Sequence, residues 1–298
     1  MNPPIAILGL GLMGSAIAGR LSGAGHALLG YDVDAAKRAA FGGAARESVE
    51  SVAQAVRRCD TLVLAVFDTA QVEEAIEGAP GVAAAARDAG KRVSVICTST
   101  CDPDRIEQLA ARLQGGPVDF VEMPVSGTSM QVAKGDAVGL IGGDEQLAQR
   151  VQAVLQAICP RRHYVGAAGD GARAKLAVNL TLGLNRAAMA EGLAFAERAG
   201  LQVEKFFGVL RESAAYSAVM ETKGANMVAR KFDAPQSRID QSLKDFSLML
   251  EYGTRRGQEL PFAEVYAAMM RDCIAHGEGQ WDNAAVLEAI RRRGAGRS

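Results

Sequence analysis

No stretch of this chain is long and apolar enough to span a bilayer, which takes about 20 consecutive apolar residues. The opening segment, MNPPIAILGLGLMG, is interrupted by glycines and lacks the charged start and cleavage site of a secretory signal. An excess of one charge is missing too: 33 Lys and Arg stand against 34 Asp and Glu, for a formal net charge of −1. Nucleic-acid and membrane-surface binders concentrate positive charge, so neither partner is expected. The only dense basic run, Arg291-Arg292-Arg293, reads as a solvated helix end. Histidines number three, and the five cysteines (Cys59, Cys97, Cys101, Cys159, Cys273) are odd in count, scattered and without a CxxC pair. Neither a metal site nor a disulfide framework is expected, and a reducing, cytoplasmic setting is the default. Aromatics are scarce at 5%, whereas glycine and alanine are plentiful, a composition suited to closely packed helices.

What is present is enough for two compact domains: 298 residues, 49% of them hydrophobic. The first half alternates. Apolar runs at Pro4–Leu8, Ala27–Tyr31, Thr61–Phe67, Val93–Cys97, Val118–Val121 and Ala137–Ile141 read as strands. Helical patterns fall between them at Leu12–Ala24, Asp34–Ala40 and Asp68–Glu77, and Asp102-Pro103 supplies an N-cap and first-turn proline for another. Such alternation predicts βαβ units and a mostly parallel, doubly wound α/β sheet of the Rossmann type. After the glycine-rich GAAGDGA (Gly166 to Ala172) the pattern changes to a proline-free periodic stretch from Arg173 to about Ala199. Helices follow, broken at Gly200-Leu201, Asp233-Ala234-Pro235, Leu260-Pro261 and His276-Gly277. The expected division is a dinucleotide-binding domain over residues 1–165 and an all-α domain over 166–298, joined by that long helix.

Gly9-Leu10-Gly11-Leu12-Met13-Gly14 is a GxGxxG placed directly between a predicted strand and a predicted helix. Gly9 permits the tight turn, Gly11 lets the backbone approach a pyrophosphate, and Gly14 lets the helix pack on the strand. Free N–H groups at the helix start, together with its dipole, favour the phosphates. Asp32, 18 residues past Gly14 at the end of the next strand, suits both ribose hydroxyls of NAD and repels the 2′-phosphate of NADP. Lys37 and Arg38 lie near enough to complicate that preference for NAD.

Lys175 opens the long helix, and Asn179 lies four residues on, hence on the same face. An ammonium and an amide so placed suit one small polar substrate, and partial burial brings a lysine closer to proton exchange near neutrality. The spacing alone more often marks a solvated lysine and an exposed asparagine. Glu122-Met123-Pro124-Val125-Ser126-Gly127-Thr128 follows a predicted strand, where ligands bind in open α/β sheets. The Ser126 hydroxyl and the N–H groups of Gly127 and Thr128 suit a carboxylate, although a plain polar turn reads the same way.

Five motifs in order then carry a resemblance over nearly the whole chain. GLGLMG (Gly9 to Gly14), Ser99-Thr100 before Asp102-Pro103, MPVSGT (Met123 to Thr128), GAAGDGARAKLAVN (Gly166 to Asn179) and Lys244-Asp245 resemble motifs of the β-hydroxyacid dehydrogenases. This family includes 3-hydroxyisobutyrate dehydrogenase and tartronate semialdehyde reductase. The resemblance implies NAD-linked oxidation of a small 3-hydroxy acid, or reduction of the matching aldehyde acid. It makes Lys175 the general acid/base and Asn179 its orienting partner, with Ser126, Gly127 and Thr128 on the substrate carboxylate. It places Gly9, Gly11, Leu12, Met13, Gly14, Asp32, Val66, Phe67, Gln71, Thr100 and Lys244 on the cofactor, and implies a homodimer or homotetramer.

Three positions depart from the family pattern: Thr128 for glycine, Met123 for alanine, and Phe67 for the proline of a Leu-Pro pair. Thr128 bears on which substrate is accepted. Two other readings share the fold, namely a non-enzymatic dinucleotide-binding scaffold and an imine reductase. Lys175 with Asn179 disfavours the first, and Lys175 disfavours the second, whose lysine position usually carries another proton donor. A 6-phosphogluconate dehydrogenase carries a helical domain much longer than the roughly 130 residues available here.

Overall fold

A computed structural model describes residues 3–295. Its compact units run through Lys175 and from Leu176 onward. In the first unit the described residues form nine strands: β1 (Ile5–Leu8), β2 (Leu28–Tyr31), β3 (Arg46–Ser48), β4 (Thr61–Leu64), β5 (Val93–Cys97), β6 (Val118–Glu122), β7 (Val125–Ser126), β8 (Val138–Gly143) and β9 (Arg161–Gly166). Their order is β3-β2-β1-β4-β5-β6-β8-β7, with β9 also on β8. All pairs from β3 to β6 are parallel; β8 runs antiparallel to β6 and β7 and parallel to β9.

The apolar runs form strands because both faces of the sheet are covered. Ala6, Leu8, Leu62, Leu64 and Val95 feed one core, and the alternating Ile5, Ile7, Val63 and Ile96 feed the other. Chain order reverses at β1, which has β2 on one side and β4 on the other. Ligands bind at such switch points, beyond the carboxyl ends of the strands. Residues 9–14 follow β1 there directly.

Asp102 caps its helix as expected, accepting two main-chain N–H groups of the first turn, and Asp34 and Asp68 cap theirs by accepting one each. The strand expected over Thr61–Phe67 ends instead at Leu64. Beyond it, Ser99 Oγ satisfies Val66 on both sides, accepting its N–H at 3.0 Å and donating to its carbonyl at 2.8 Å. Side-chain hydrogen bonds have replaced the ladder, so the chain leaves the sheet. Strands β3 and β9 and the helices Val52–Arg58 and Val82–Asp88 carry no clear period in the sequence. Arg-Glu-Ser and Arg-Arg-His-Tyr are polar, and short alanine-rich helices have little contrast between faces.

The helix Asp170–Arg198 begins in the first unit and continues through the second. The second unit adds the helices Val203–Glu212, Ala225–Ala229, Ile239–Arg255, Pro261–Ala275 and Val286–Ala295. Phe246 meets Tyr266 edge to face at a centroid distance of 4.8 Å, across a Gly183 whose missing side chain leaves room for the Phe246 ring. No helix among the described residues is long and apolar enough to cross a membrane.

One ion pair lies inside this helical core. Lys223 Nζ donates to Asp282 Oδ1 at 2.8 Å and Oδ2 at 2.6 Å, with the two side chains 3% and 0% exposed. Asp282 also accepts the N–H groups of Gln236 and Ala284. Burial pulls the Lys223 ammonium down to about 8, against the stabilising pull of the carboxylate. Removing one partner strands the other charge, so Asp282→Asn is expected to lower unfolding free energy by about 3 kcal/mol. Urea melts of the two proteins check this, and a change below about 1 kcal/mol contradicts it.

Candidate active site

The glycine turn is built as its spacing suggests. Gly9 holds φ at 98°, and a Cβ there would stand 2.5 Å from the Ala65 carbonyl oxygen. A side chain on Gly14 would collide with the Gly9 carbonyl. Gly11 differs: nothing lies within 4 Å of the place its Cβ would take. It is the N-cap of the helix Leu12–Gly23, whose first N–H groups receive no side-chain cap. Open space in front of uncapped N–H groups fits an anionic pyrophosphate.

Asp32 is buried where β2 ends. Its carboxylate accepts the Leu10 N–H at 2.7 Å and the Asp34 N–H at 2.9 Å, which ties the glycine turn to the β2 loop. Lys37 Nζ stands 3.6 Å from the same carboxylate. Arg38 is committed elsewhere, donating to the main-chain oxygen of Asp32 at 2.8 Å and to Glu50 at 3.2 Å. Val66, Phe67 and Gln71 follow β4, and Thr100 follows β5, so all four lie at the carboxyl end of the parallel strands. Gln71 Oε1 accepts the Phe67 N–H at 2.9 Å, and Asp68 Oδ1 accepts the Gln71 N–H at 2.8 Å. The loop is therefore held by its own polar groups, with Phe67 still exposed.

In the third segment, Lys175 is 6% exposed and its Nζ donates to the Val125 carbonyl oxygen at 2.6 Å. This puts the amine beside the strand that carries Ser126 and leads into Gly127 and Thr128. Gly127 has φ 149°, and a Cβ there would meet that of Ala137 at 2.9 Å. Thr128 corrects the sequence reading in one respect. Its N–H, expected to be available to a carboxylate, donates to Gln131 Oε1 at 2.9 Å, while its Oγ1 accepts the Gln131 N–H at 3.2 Å. This reciprocal capping box opens the helix Ser129–Lys134. Met123 is fully buried in the sheet core and packs against Gly139, so its replacement of alanine is a matter of packing.

Glu122 opens the loop segment read from the sequence, which assigns it no role. It ends β6, 2% exposed, and accepts N–H groups from Gly169 at 2.7 Å, Gly171 at 3.0 Å and Ala172 at 3.0 Å. These belong to the turn and first residues of the long helix. Burial drives its carboxyl up to about 7, although the three N–H groups pull the other way. The only sequence signal was an acidic residue at the end of an apolar strand, a position that burial makes costly without partners. In the second unit Asn179 Nδ2 donates to Asp245 Oδ2 at 3.3 Å, and Lys244 Nζ lies 2.9 Å from Asp245 Oδ1. Lys175 and Asn179 are one turn apart on the same helix. Among the described residues no group of three or more His, Cys, Asp or Glu is arranged to hold a metal.

The first unit thus has the doubly wound architecture of a dinucleotide-binding protein, with its glycine turn at the switch point. Residues 4–166 match the family described as the NAD binding domain of 6-phosphogluconate dehydrogenase, and residues 169–290 match the NAD-binding domain of NADP-dependent 3-hydroxyisobutyrate dehydrogenase. The chain belongs to the β-hydroxyacid dehydrogenase family of nicotinamide-dependent oxidoreductases. It is 29% identical over 290 residues to 2-hydroxy-3-oxopropionate reductase of Escherichia coli, covering 96% of each chain. It is likewise 29% identical over 289 residues to L-threonate dehydrogenase of Cupriavidus necator, covering 97% of this chain and 96% of that one. A crystal structure of 3-hydroxyisobutyrate dehydrogenase from Salmonella typhimurium superposes with a TM-score of 0.85 at 26% identity, over 96% of this chain and 99% of that one.

The raised Glu122 carboxyl fixes a sign for the pH dependence of stability. Its folded value of about 7 exceeds the unfolded 4.5, so the folded chain holds the extra proton between those values. This contribution is complete below pH 4.5 and lost as pH rises through 7. Relative to Glu122→Gln, which cannot titrate there, the natural protein is expected to lose stability over that window. Denaturant melts at a series of pH values check this; a constant difference between the two proteins contradicts it.

Proposed function

We propose that the chain transfers hydride between a small 3-hydroxy acid, similar to 3-hydroxyisobutyrate, and NAD, with Lys175 as general acid/base. One observation supports the reading above the rest: the buried Lys175 amine lies within hydrogen-bonding distance of the segment that leads into Ser126-Gly127-Thr128. A bound nicotinamide supplies the hydride acceptor or donor; the chain supplies orientation and proton exchange. Oxidation of the alcohol requires a base at the hydroxyl, and the buried Lys175 amine beside the loop proposed for substrate is suited to that role. Asn179, one turn along the helix, is proposed to orient the hydroxyl or carboxylate. Ser126 Oγ and the Gly127 N–H are proposed for the carboxylate, with Thr128 shaping that loop through its capping box.

The proposed cofactor segment comprises Gly9, Gly11, Leu12, Met13, Gly14, Asp32, Val66, Phe67, Gln71 and Thr100. NAD is favoured over NADP because the Asp32 carboxylate repels a 2′-phosphate. Lys37, 3.6 Å from that carboxylate, supports the second reading, in which it reaches the phosphate instead. The family resemblance extends the proposal to a homodimer or homotetramer.

Two substitutions test the assignment. Lys175→Ala is expected to abolish hydroxy-acid-dependent reduction of the dinucleotide while leaving dinucleotide affinity intact; near-normal turnover removes the mechanism. Gly11→Val places its side chain in open space, so the fold should lose less than about 1 kcal/mol. Dinucleotide affinity, followed by fluorescence titration, should nevertheless fall at least about tenfold because the side chain fills the pyrophosphate approach. Unchanged affinity removes the turn from the cofactor site.

A further inference from the structure

Glu122 and Val125 grip the long helix from one short segment. Glu122 takes the N–H groups of Gly169, Gly171 and Ala172, and three residues later the Val125 carbonyl takes the Lys175 amine. From Gly171 to Lys175 is about one helical turn. Space for the carboxylate is made by glycines on two other elements. A Cβ on Gly142 of β8 would stand 2.5 Å from Glu122 Oε1, and one on Gly171 would stand 2.9 Å from Glu122 Cδ and 2.8 Å from the Leu140 carbonyl oxygen. Gly142 is also the register partner of Glu122 in the β6–β8 ladder. Asp170, the carboxylate of the turn, is spent on the turn itself, accepting the Ala167 N–H at 2.9 Å and pairing with Arg173 at 2.8 Å.

We infer that Glu122 is a positioning residue for Lys175: its carboxylate sets the height and rotation of the helix start, and thereby the place of the amine beside Val125. This rests on the reading of Lys175 as general acid/base. All three contacts are made to main-chain N–H groups, so they register the helix as a rigid body. Turning the helix by one residue, about 100°, would break all three and carry Lys175 away from Val125. Glutamine cannot replace the carboxylate faithfully. Its oxygen can keep the two N–H groups at Oε1, but its NH2 group then faces the Ala172 N–H, donor against donor. Displacement of a proton-transfer group by even a fraction of an ångström is costly because the reaction needs near-attack geometry.

The test compares natural protein, Glu122→Gln, Gly171→Ala and Lys175→Ala as full-length chains, each checked for folding and reduced-dinucleotide binding. Gly171→Ala retains the charge and displaces the carboxylate sterically. In both Glu122→Gln and Gly171→Ala, kcat for 3-hydroxy acid oxidation is expected to fall about 10- to 100-fold. KM and dinucleotide affinity should change little, and the isotope effect on kcat from a deuterated carbinol should rise as hydride transfer becomes rate-limiting. A residue that only caps the helix would lower the melting temperature and leave kcat per folded site and the isotope effect unchanged, which overturns the inference. Loss of activity in Lys175→Ala with natural kcat in the other two variants removes the positioning role alone. Natural kcat in Lys175→Ala removes the acid/base reading, and the positioning role with it.

Discussion

A buried carboxylate at the end of a central strand accepts the main-chain N–H groups that a helix start would otherwise leave orphaned. Without Glu122, the first N–H groups of the long helix would face the sheet core with no acceptor, at a cost of about 1–3 kcal/mol each. Without the helix, Glu122 would be a charge buried at 2% exposure with no partner. Each makes the other tolerable. The same strand leads through Met123-Pro124 to the Val125 carbonyl that holds Lys175, so one packing solution places both the amine proposed as acid/base and the loop proposed to bind substrate.

Anion handling follows from the same economy of charge. At the glycine turn, uncapped helix N–H groups and open space in front of Gly11 replace a basic patch. On the proposed substrate side the candidates are a buried lysine and backbone donors, not an arginine cluster. This is why a chain with a formal net charge of −1 can belong to a family of enzymes for which cofactor and substrate are both anionic. Many arginines are occupied with surface pairs, such as Arg58 with Glu47 and Arg230 with Glu288, which tie elements together at little energetic consequence.

Much of this was legible in the sequence because it is local. Apolar runs between capping aspartates give buried strands and helix starts, and a GxGxxG between strand and helix gives a phosphate turn. Lys175 and Asn179 share a helix face by spacing alone. What escaped reading depends on distant partners. Glu122 and the residues it holds are separated by 47 to 50 positions, and Ser99 terminates β4 from 33 positions away. The edge strands β3 and β9 are polar because solvent or loops cover them, so alternation never develops. Thr128 is an instructive middle case. Its position in the loop was evident, and the Thr-x-x-Gln spacing that lets Gln131 engage its N–H is also in the sequence, as a capping-box signature that went unread.

The most direct measurement is a screen of the purified chain for reduction of NAD⁺, repeated with NADP⁺, against a panel of small 3-hydroxy acids. Formation of the reduced cofactor with at least one of them, faster with NAD⁺, is the expected result. Tight dinucleotide binding with no turnover across the panel in either cofactor would contradict it and leave a binding scaffold on an enzyme's fold.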